Sequence, residues 1–345
     1  MNKIIKITVL SIGHLLIDLE GIYLINKQFN DYDFKYIAFF FIIYNVIAFG
    51  LQPFFGYFAD TKNKYLHFVI IGSILPIVAI FIKDVGIVAI IISTVGNAMY
   101  HIGGGVISVN LYPNKAAPAG IFVAPGVIGV FLGIFLASRA FSYEYVIAVI
   151  GIIVIVLIFI IFRGFELKSE YKKINQNFVK IIILILLIVA IRGFIGSMLM
   201  FTWKDNTVYD ILLVAAIFLG KFFGGILGDK FGFKEVGIFG LIVSAPLLLL
   251  GYYWSIAGLI GALFFNFTMA ITLFLIIDNL GKYKGFAFGL TTLTLVIAFL
   301  PKALGISISF GFTYYSTILI LVVLGSYILY RVVSLDEKNN KLREC

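Results

Sequence analysis

Residues 222–234 read FFGGILGDKFGFK, and residues 52–64 read QPFFGYFADTKNK. Each stretch closes a long apolar segment with glycine, then aspartate, then a short basic turn. Each also follows the second apolar segment of its half of the chain. A motif repeated at equivalent places predicts two related halves, and parallel repeats of six helices are a known architecture of membrane proteins.

The apolar segments around the motif are long enough to cross a membrane. The chain is 62% hydrophobic and 12% charged, and its mean hydropathy is +1.10. Runs such as residues 145–162 lack the polar face of a soluble helix, and about 20 apolar residues span the hydrocarbon core of a bilayer. Because a membrane-spanning β-barrel would alternate apolar and polar residues, the sequence predicts an all-α polytopic membrane protein.

We predict twelve transmembrane segments. The longest polar connection, residues 163–178, serves as a cytoplasmic linker between an N-terminal bundle of six helices (1–162) and a C-terminal bundle of six (179–331), and residues 332–345 form a cytoplasmic tail. The segments are placed at about 5–26, 36–58, 66–82, 85–107, 119–138, 144–162, 179–202, 208–228, 235–252, 255–277, 286–304 and 312–330.

The distribution of basic residues predicts the orientation. Most of the 26 lysine and arginine residues fall on one side of this arrangement, which places both termini in the cytoplasm of a cell (plasma or inner) membrane. The net charge of +9 then reflects topology, so a nucleic-acid partner is not expected. The single cysteine, Cys345, excludes an internal disulfide and a cysteine metal site.

The repeated motif resembles the signature of the major facilitator superfamily, a Gly-x-Leu-Ala-Asp-Arg-x-Gly-Arg-Lys loop between helices 2 and 3. The resemblance implies a 6+6 pseudo-twofold fold and a conformational latch. Glycine permits close helix approach, and an aspartate can lie at the end of a neighbouring helix or pair with a basic residue. An ordinary capped turn is the alternative. The matched latch residues are Gly56, Asp60 and Lys64 in the first copy and Gly225, Asp229, Lys230, Gly232 and Lys234 in the second.

A narrower resemblance points to the fosmidomycin-resistance-type exporters. It rests on His14 and Asp18 in segment 1, residues 52–57 in segment 2, residues 96–101 in segment 4 and Arg192 in segment 7. In segment 5, Pro125, Gly126 and Gly129 resemble a gating motif of antiporters, with plain helix packing as the alternative. These resemblances imply export by exchange.

Ionisable groups at bilayer depth are costly and therefore predict functional sites. His14 and Asp18 share one helix face, and with Glu20 and His101 they form the predicted proton-coupling group. A structural hydrogen bond is the alternative for the pair. Arg192 suits an anionic substrate, and a permanent ion pair with Asp18 or Glu20 is its alternative. The predicted substrate-binding residues are Tyr44, Asn45, Asn97, Tyr100, His101, Arg192, Lys221 and Asn266.

The leading hypothesis is a monomeric secondary transporter that exports a small organic compound by proton-coupled alternating access. Its expected partners are the small-molecule substrate, protons and the lipid bilayer, and no cofactor or metal is expected. Proton-coupled uptake of a nutrient or anion and lipid flipping are the alternatives. The sequence carries no nucleotide-binding motif, which excludes an ATP-driven pump on this chain, and no apparent catalytic cluster, so an enzyme is not expected.

Overall fold

The computed structural model describes residues 2–29, 34–167, 178–204, 206–306, 308 and 310–344. These residues form α-helices and connecting turns, with no strand among them. Residues 168–177 of the predicted linker lie outside the described residues. The helices are α1 Lys3–Phe29, α2 Phe34–Asn45, α3 Gln52–Lys62, α4 Tyr65–Phe81, α5 Ile87–Leu111, α6 Ala117–Ala137, α7 Glu144–Ile161, α8 Phe178–Met198, α9 Thr207–Phe231, α10 Phe233–Leu250, α11 Ser255–Phe265, α12 Phe267–Asn279, α13 Lys284–Ala303 and α14 Phe312–Glu344.

The twelve predicted segments are confirmed as helical, and two of them are interrupted. A π-helical turn, Val46–Gly50, separates α2 from α3 within the second segment. Asn266 separates α11 from α12 within the tenth. Eleven segments are long and apolar enough to cross a membrane, and α4 is an apolar helix of 17 residues.

The last helix is longer than predicted. The sequence suggested an end near residue 330, yet α14 continues to Glu344. No glycine or proline follows Gly325, so nothing in the sequence breaks the helix where the apolar run gives way to charged residues. The predicted tail is therefore helical over its described residues.

The chain divides into two compact units. Unit 1 contains residues 1–113, 121–170 and 282–293, and unit 2 contains residues 114–120, 171–281 and 294–345. These units differ from the predicted halves because the beginnings of α6 and α13 each join the other half. The reason is chemical: each of these two helix beginnings is held by the motif aspartate of the unit that it joins.

One end of unit 1 is tied together by a polar network. Glu144, at the start of α7, accepts hydrogen bonds from the Lys83 ammonium at 2.9 Å and from the Tyr23 hydroxyl at 3.0 Å. The hydrogen bond to Glu144 raises the pKa of Lys83 above its ordinary value. The network therefore links α1 to α7 and to the α4–α5 connection at the end predicted to face outward.

Candidate functional site

Three buried side chains from two helices meet in the core of unit 1. Asp18 on α1 lies between His14, one turn earlier, and His101 on α5. The Nε2 atom of His14 is 3.2 Å from Asp18 Oδ2, and that of His101 is 3.6 Å from Asp18 Oδ1. All three side chains are buried. We call these residues the His–Asp cluster; they are three of the four residues predicted to couple protons.

Each imidazole of the cluster is fixed through its other ring nitrogen. His14 Nδ1 lies 2.7 Å from the carbonyl oxygen of Phe122, and His101 Nδ1 lies 2.9 Å from that of Asn97. The two rings meet edge to face with centroids 4.4 Å apart, and His14 also stacks on the Phe122 ring. Since a carbonyl oxygen can only accept, each Nδ1 donates a proton and each Nε2 faces Asp18.

Asn97 and Tyr44 extend the cluster as a second layer. The Asn97 amide donates to Asp18 Oδ1 at 3.1 Å and approaches the Tyr44 hydroxyl at 3.4 Å. The amide oxygen of Asn97 is buried and has no hydrogen-bond partner among the described residues. Two of the predicted substrate-binding residues therefore lie around the carboxylate.

Tyr100 instead anchors one helix to another. Its hydroxyl donates to the Leu10 carbonyl at 2.9 Å, and its side chain is fully buried. Gly13 provides the room, because a β-carbon there would collide with the Tyr100 ring. Tyr100, predicted to bind substrate, therefore joins α5 to α1 in this structure.

The predicted gating residues bring α6 against the cluster. A β-carbon on Gly126 would lie 2.6 Å from Asp18 Oδ2 and 2.8 Å from His14 Nε2. One at Gly129 would lie 3.1 Å from the β-carbon of Asp18. Pro125 lies inside the helix just before these glycines. The absence of side chains at these two positions lets α6 approach α1 at the level of the carboxylate.

Glu20 is buried in unit 1 with a different partner. Ser93 of α5 donates to its Oε2 atom at 2.8 Å, while its Oε1 atom has no hydrogen-bond partner among the described residues. It also lines a mainly apolar cavity with residues of α1, α4 and α7. Glu20 thus has surroundings of its own, separate from the hydrogen bonds of the cluster.

Arg192 is a buried cation in the core of unit 2. It lies within α8 with 7% of its surface exposed, and its guanidinium carbon is 5.7 Å from the centre of the Phe265 ring. No described carboxylate of unit 2 lies within ion-pair distance, and Nε has no hydrogen-bond partner among the described residues. A pair with Asp18 or Glu20 would involve both units and stays a prediction.

The other predicted substrate-binding residues are engaged locally. The amides of Asn45 and Asn266 donate to carbonyl oxygens one turn earlier, at Phe41 and Ala262. Both residues lie at the helix interruptions, where backbone groups need such partners. Lys221 lies within α9 and is partly buried.

The first motif aspartate binds the beginning of a helix. In unit 1, Asp60 accepts hydrogen bonds from the backbone N–H groups of Gly285 at 2.8 Å and Phe286 at 2.9 Å, where α13 begins. Tyr65 also donates to it at 2.5 Å. A β-carbon on Gly56 would collide with the backbone of Gly285.

The second motif repeats this arrangement in unit 2. Asp229 accepts from the backbone N–H groups of Ala116 at 2.7 Å and Ala117 at 3.0 Å, where α6 begins. A β-carbon on Gly225 would lie 2.6 Å from the Ala116 carbonyl oxygen. In both units a carboxylate therefore binds the positive end of a helix dipole. In both units the motif glycine lets the two helices approach closely at that point.

The remaining motif residues shape the turn or lie at its surface. Gly232 has a φ of 102° between α9 and α10, a conformation that favours glycine. Lys230 and Lys234 lie over the rings of Phe231 and Tyr330, at 4.9 and 4.7 Å from their centres. Lys64 is exposed. None of the three lysines forms an ion pair among the described residues.

Three solved structures resemble this chain over nearly its whole length. The chain is similar to the Escherichia coli fucose:proton symporter FucP, with 13% identity, a TM-score of 0.66 and coverage of 97% of this chain and 99% of that one. A bacterial homologue of the iron transporter ferroportin gives 16% identity, a TM-score of 0.65 and coverage of 95% and 99%. The human organic anion transporter MFSD10 gives 13%, 0.71, 95% and 100%.

The chain has the major facilitator superfamily fold. No family model and no curated protein matches the sequence. The fold predicted from the repeated motif is therefore confirmed, whereas the resemblance to the fosmidomycin-type exporters stays a prediction.

Within this major facilitator fold, several site contacts were not predicted from the sequence. Phe122 contributes a backbone carbonyl, which carries no residue-type signal, and Ser93 is one of many hydroxyls in apolar helices. Gly126 was singled out as a gating residue, but its proximity to Asp18 depends on how two helices pack. These contacts are tertiary and have no local pattern to indicate them.

Proposed function

We propose that this protein is a secondary transporter that exports a small organic compound in exchange for protons. The observation that carries the proposal is the presence of buried ionisable side chains within transmembrane helices of a major facilitator fold. Such groups are costly at bilayer depth, so they mark substrate or ion pathways by default. The solved structures with the same fold are named as transporters, which supports this class over an enzyme.

Proton coupling is assigned to His14, Asp18, His101 and Glu20. The His–Asp cluster holds a carboxylate in contact with two imidazoles, the side chains best suited to exchanging protons near neutral pH. Glu20 adds a second enclosed carboxylate on the same helix. Protonation of either would change the charge inside unit 1 and so favour one conformation over another.

The substrate is proposed to carry an anionic group that Arg192 recognises. A buried guanidinium with no described carboxylate of its own unit within ion-pair distance is unfavourable unless an anion compensates it. One solved structure with this fold is an organic anion transporter, which supports the same chemistry. Tyr44, Asn45, Asn97, Tyr100, Lys221 and Asn266 remain the proposed neutral or accessory contacts.

The two motifs are proposed to act as latches. Each aspartate holds the beginning of a helix by two backbone hydrogen bonds, and these bonds can break without unfolding either helix. Alternating access then requires each latch to open and close during the cycle. The protein is proposed to work as a monomer in the cell membrane, with both termini in the cytoplasm.

Uptake is the second candidate, because FucP, which shares the fold, is a proton symporter. A thermal-shift screen of metabolites and antibiotics, fosmidomycin among them, identifies a ligand for use as the radiolabelled probe. Flux into proteoliposomes is then measured with the pH gradient imposed in either direction. Exchange predicts that probe and protons move in opposite directions, symport predicts the same direction, and flux insensitive to both gradients contradicts proton coupling.

A further inference from the structure

We propose that the His–Asp cluster is also a binding site for a divalent first-row transition metal ion such as Zn²⁺. The inference goes beyond the proposed function and rests on the positions of three ligand atoms. One nitrogen from each of His14 and His101 and one oxygen of Asp18 lie within 4.8 Å of one another. All three residues belong to unit 1 and are more than nine-tenths buried.

The spacing of the ligand atoms suits such an ion. Zinc binds imidazole nitrogen and carboxylate oxygen at about 2.0–2.2 Å, so two ligands at a tetrahedral angle lie roughly 3.4 Å apart. His14 Nε2 lies 3.2 Å from Asp18 Oδ2 and His101 Nε2 lies 3.6 Å from Asp18 Oδ1, so each imidazole is near this distance from one of the two carboxylate oxygens. A small rotation of the rings would bring the three atoms around a common centre.

The outer contacts of the cluster are those of metal-binding histidines. A histidine that ligates a metal usually donates its other ring N–H to a carbonyl or carboxylate. His14 and His101 both do so, to Phe122 and to Asn97. Asn97 also donates to the carboxylate of Asp18, as expected of a second layer that orients a ligand.

If both imidazoles are neutral, their Nε2 lone pairs point at the Asp18 carboxylate, and electron-rich atoms held together in a buried site repel one another. A proton on either Nε2 bridges that ring to one carboxylate oxygen, whereas a single divalent ion would bind both imidazoles and the carboxylate together. Metal ion and proton would therefore compete for the same site.

The donor set indicates the class of metal. Two imidazoles and one carboxylate favour zinc, iron, cobalt or nickel over magnesium and calcium, which prefer oxygen ligands. Three protein ligands also leave one coordination position open, which suits an exchangeable ion better than a closed structural site. Gly126 borders the cluster, where a β-carbon would lie only 2.6 Å from Asp18 Oδ2 and 2.8 Å from His14 Nε2.

The test is direct metal binding to the full-length protein in detergent. Cys345→Ser is introduced so that no thiol binds the metal, and any affinity tag used in purification is removed. After treatment with chelator, Zn²⁺ binding is measured by calorimetry and Co²⁺ binding by visible absorption. We expect one ion per protein, a Co²⁺ spectrum of four- or five-coordinate geometry, and at least tenfold weaker Zn²⁺ binding in His14→Gln and His101→Gln.

The chain supplies a matched control. Its third histidine, His67, is exposed at the start of α4, so His67→Gln should bind Zn²⁺ like the parent protein. If a histidine variant of the cluster fails to fold, Asp18→Asn provides the same comparison. Absence of one-to-one binding in the parent, or equal binding in folded cluster and His67 variants, would overturn the proposal. Proton-driven flux measured with chelator present tests the proposed function separately.

Discussion

Gly126 shows how one residue sets the geometry of the candidate site. The hydrogen atom in place of its side chain lets α6 lie beside Asp18 and His14, where a methyl group would come within 2.6 Å of a carboxylate oxygen. Gly196 on α8 is a contrasting case, because a methyl group there would lie 4.0 Å from its nearest neighbour, an atom of the Phe265 ring. Replacing each glycine by alanine therefore distinguishes the cost of packing at the cluster from the effect of helix propensity.

We expect Gly126→Ala to lower the apparent Tm and Gly196→Ala to leave it unchanged or raise it. Both changes remove the helix cost of glycine, about 1 kcal/mol. Only the first overpacks a buried contact, at a typical cost of about 1–3 kcal/mol. Thermal unfolding in detergent measures the difference. Equal Tm values for the two variants would contradict the prediction and show that α6 can shift to accommodate a methyl group at this contact.

Arg192 carries the prediction about substrate charge. For an anionic probe we expect Arg192→Gln to reduce flux at least tenfold, and Arg192→Lys to retain part of it, because lysine keeps the charge but loses the planar geometry of the guanidinium. Lys180→Gln, an exposed position on the same helix, is the control. Unchanged flux in Arg192→Gln would remove Arg192 from the substrate site.

At the scale of elements, the two motif aspartates act as caps for helices far away in sequence. Each carboxylate binds two backbone N–H groups that a helix beginning leaves without internal partners. Asp60 has an additional hydrogen bond from Tyr65. The caps lie in separate units, so their contributions to stability should be independent.

We expect Asp60→Ala and Asp229→Ala each to destabilise the protein by about 0.5–2 kcal/mol, the usual cost of losing a cap. In the double variant the effects should add to within about 0.5 kcal/mol. Asp84→Ala removes an exposed carboxylate outside the motifs and serves as the control. Tm values of both single variants equal to that of the control would contradict the role of the caps.

The elements also show which parts of the structure can be predicted from local sequence. The twelve segments were predictable because each apolar run carries its own signal, and the motif's aspartates were expected at helix ends. The proximity of His14 to Asp18 follows from their helical spacing. The approach of His101 and the carbonyl of Phe122 depends on packing among α1, α5 and α6, and the helical tail of α14 continues because the sequence offers no stop.

At the scale of the whole molecule, two units contain equivalent motifs but different buried charges. Unit 1 holds the buried His–Asp cluster, Glu20 and Glu144, and unit 2 holds buried Arg192 and Asp336. Because the cluster and Arg192 lie in different units, we propose that unit 1 exchanges protons and that unit 2 recognises the anion. The predicted orientation places the single cysteine, Cys345, in the cytoplasm.

The orientation is tested by labelling Cys345 with a membrane-impermeant maleimide. We expect no labelling in intact cells and labelling once the membrane is permeabilised. Replacement of Lys27, predicted to lie near the outer surface, by cysteine in a Cys345→Ser background is the control. Its labelling in intact cells should be immediate, and labelling of Cys345 itself in intact cells would contradict the predicted orientation.

The most direct test of proton-coupled transport compares Asp18→Asn with the parent protein in proteoliposomes. Probe flux is measured with the pH gradient imposed in each direction and with no gradient. The proposed function predicts that reversing the gradient reverses net flux in the parent, and that Asp18→Asn loses this response while still binding the probe. The proposed function would be contradicted if the flux of the parent protein did not depend on the pH gradient. It would also be contradicted if the flux of Asp18→Asn depended on the gradient as that of the parent does.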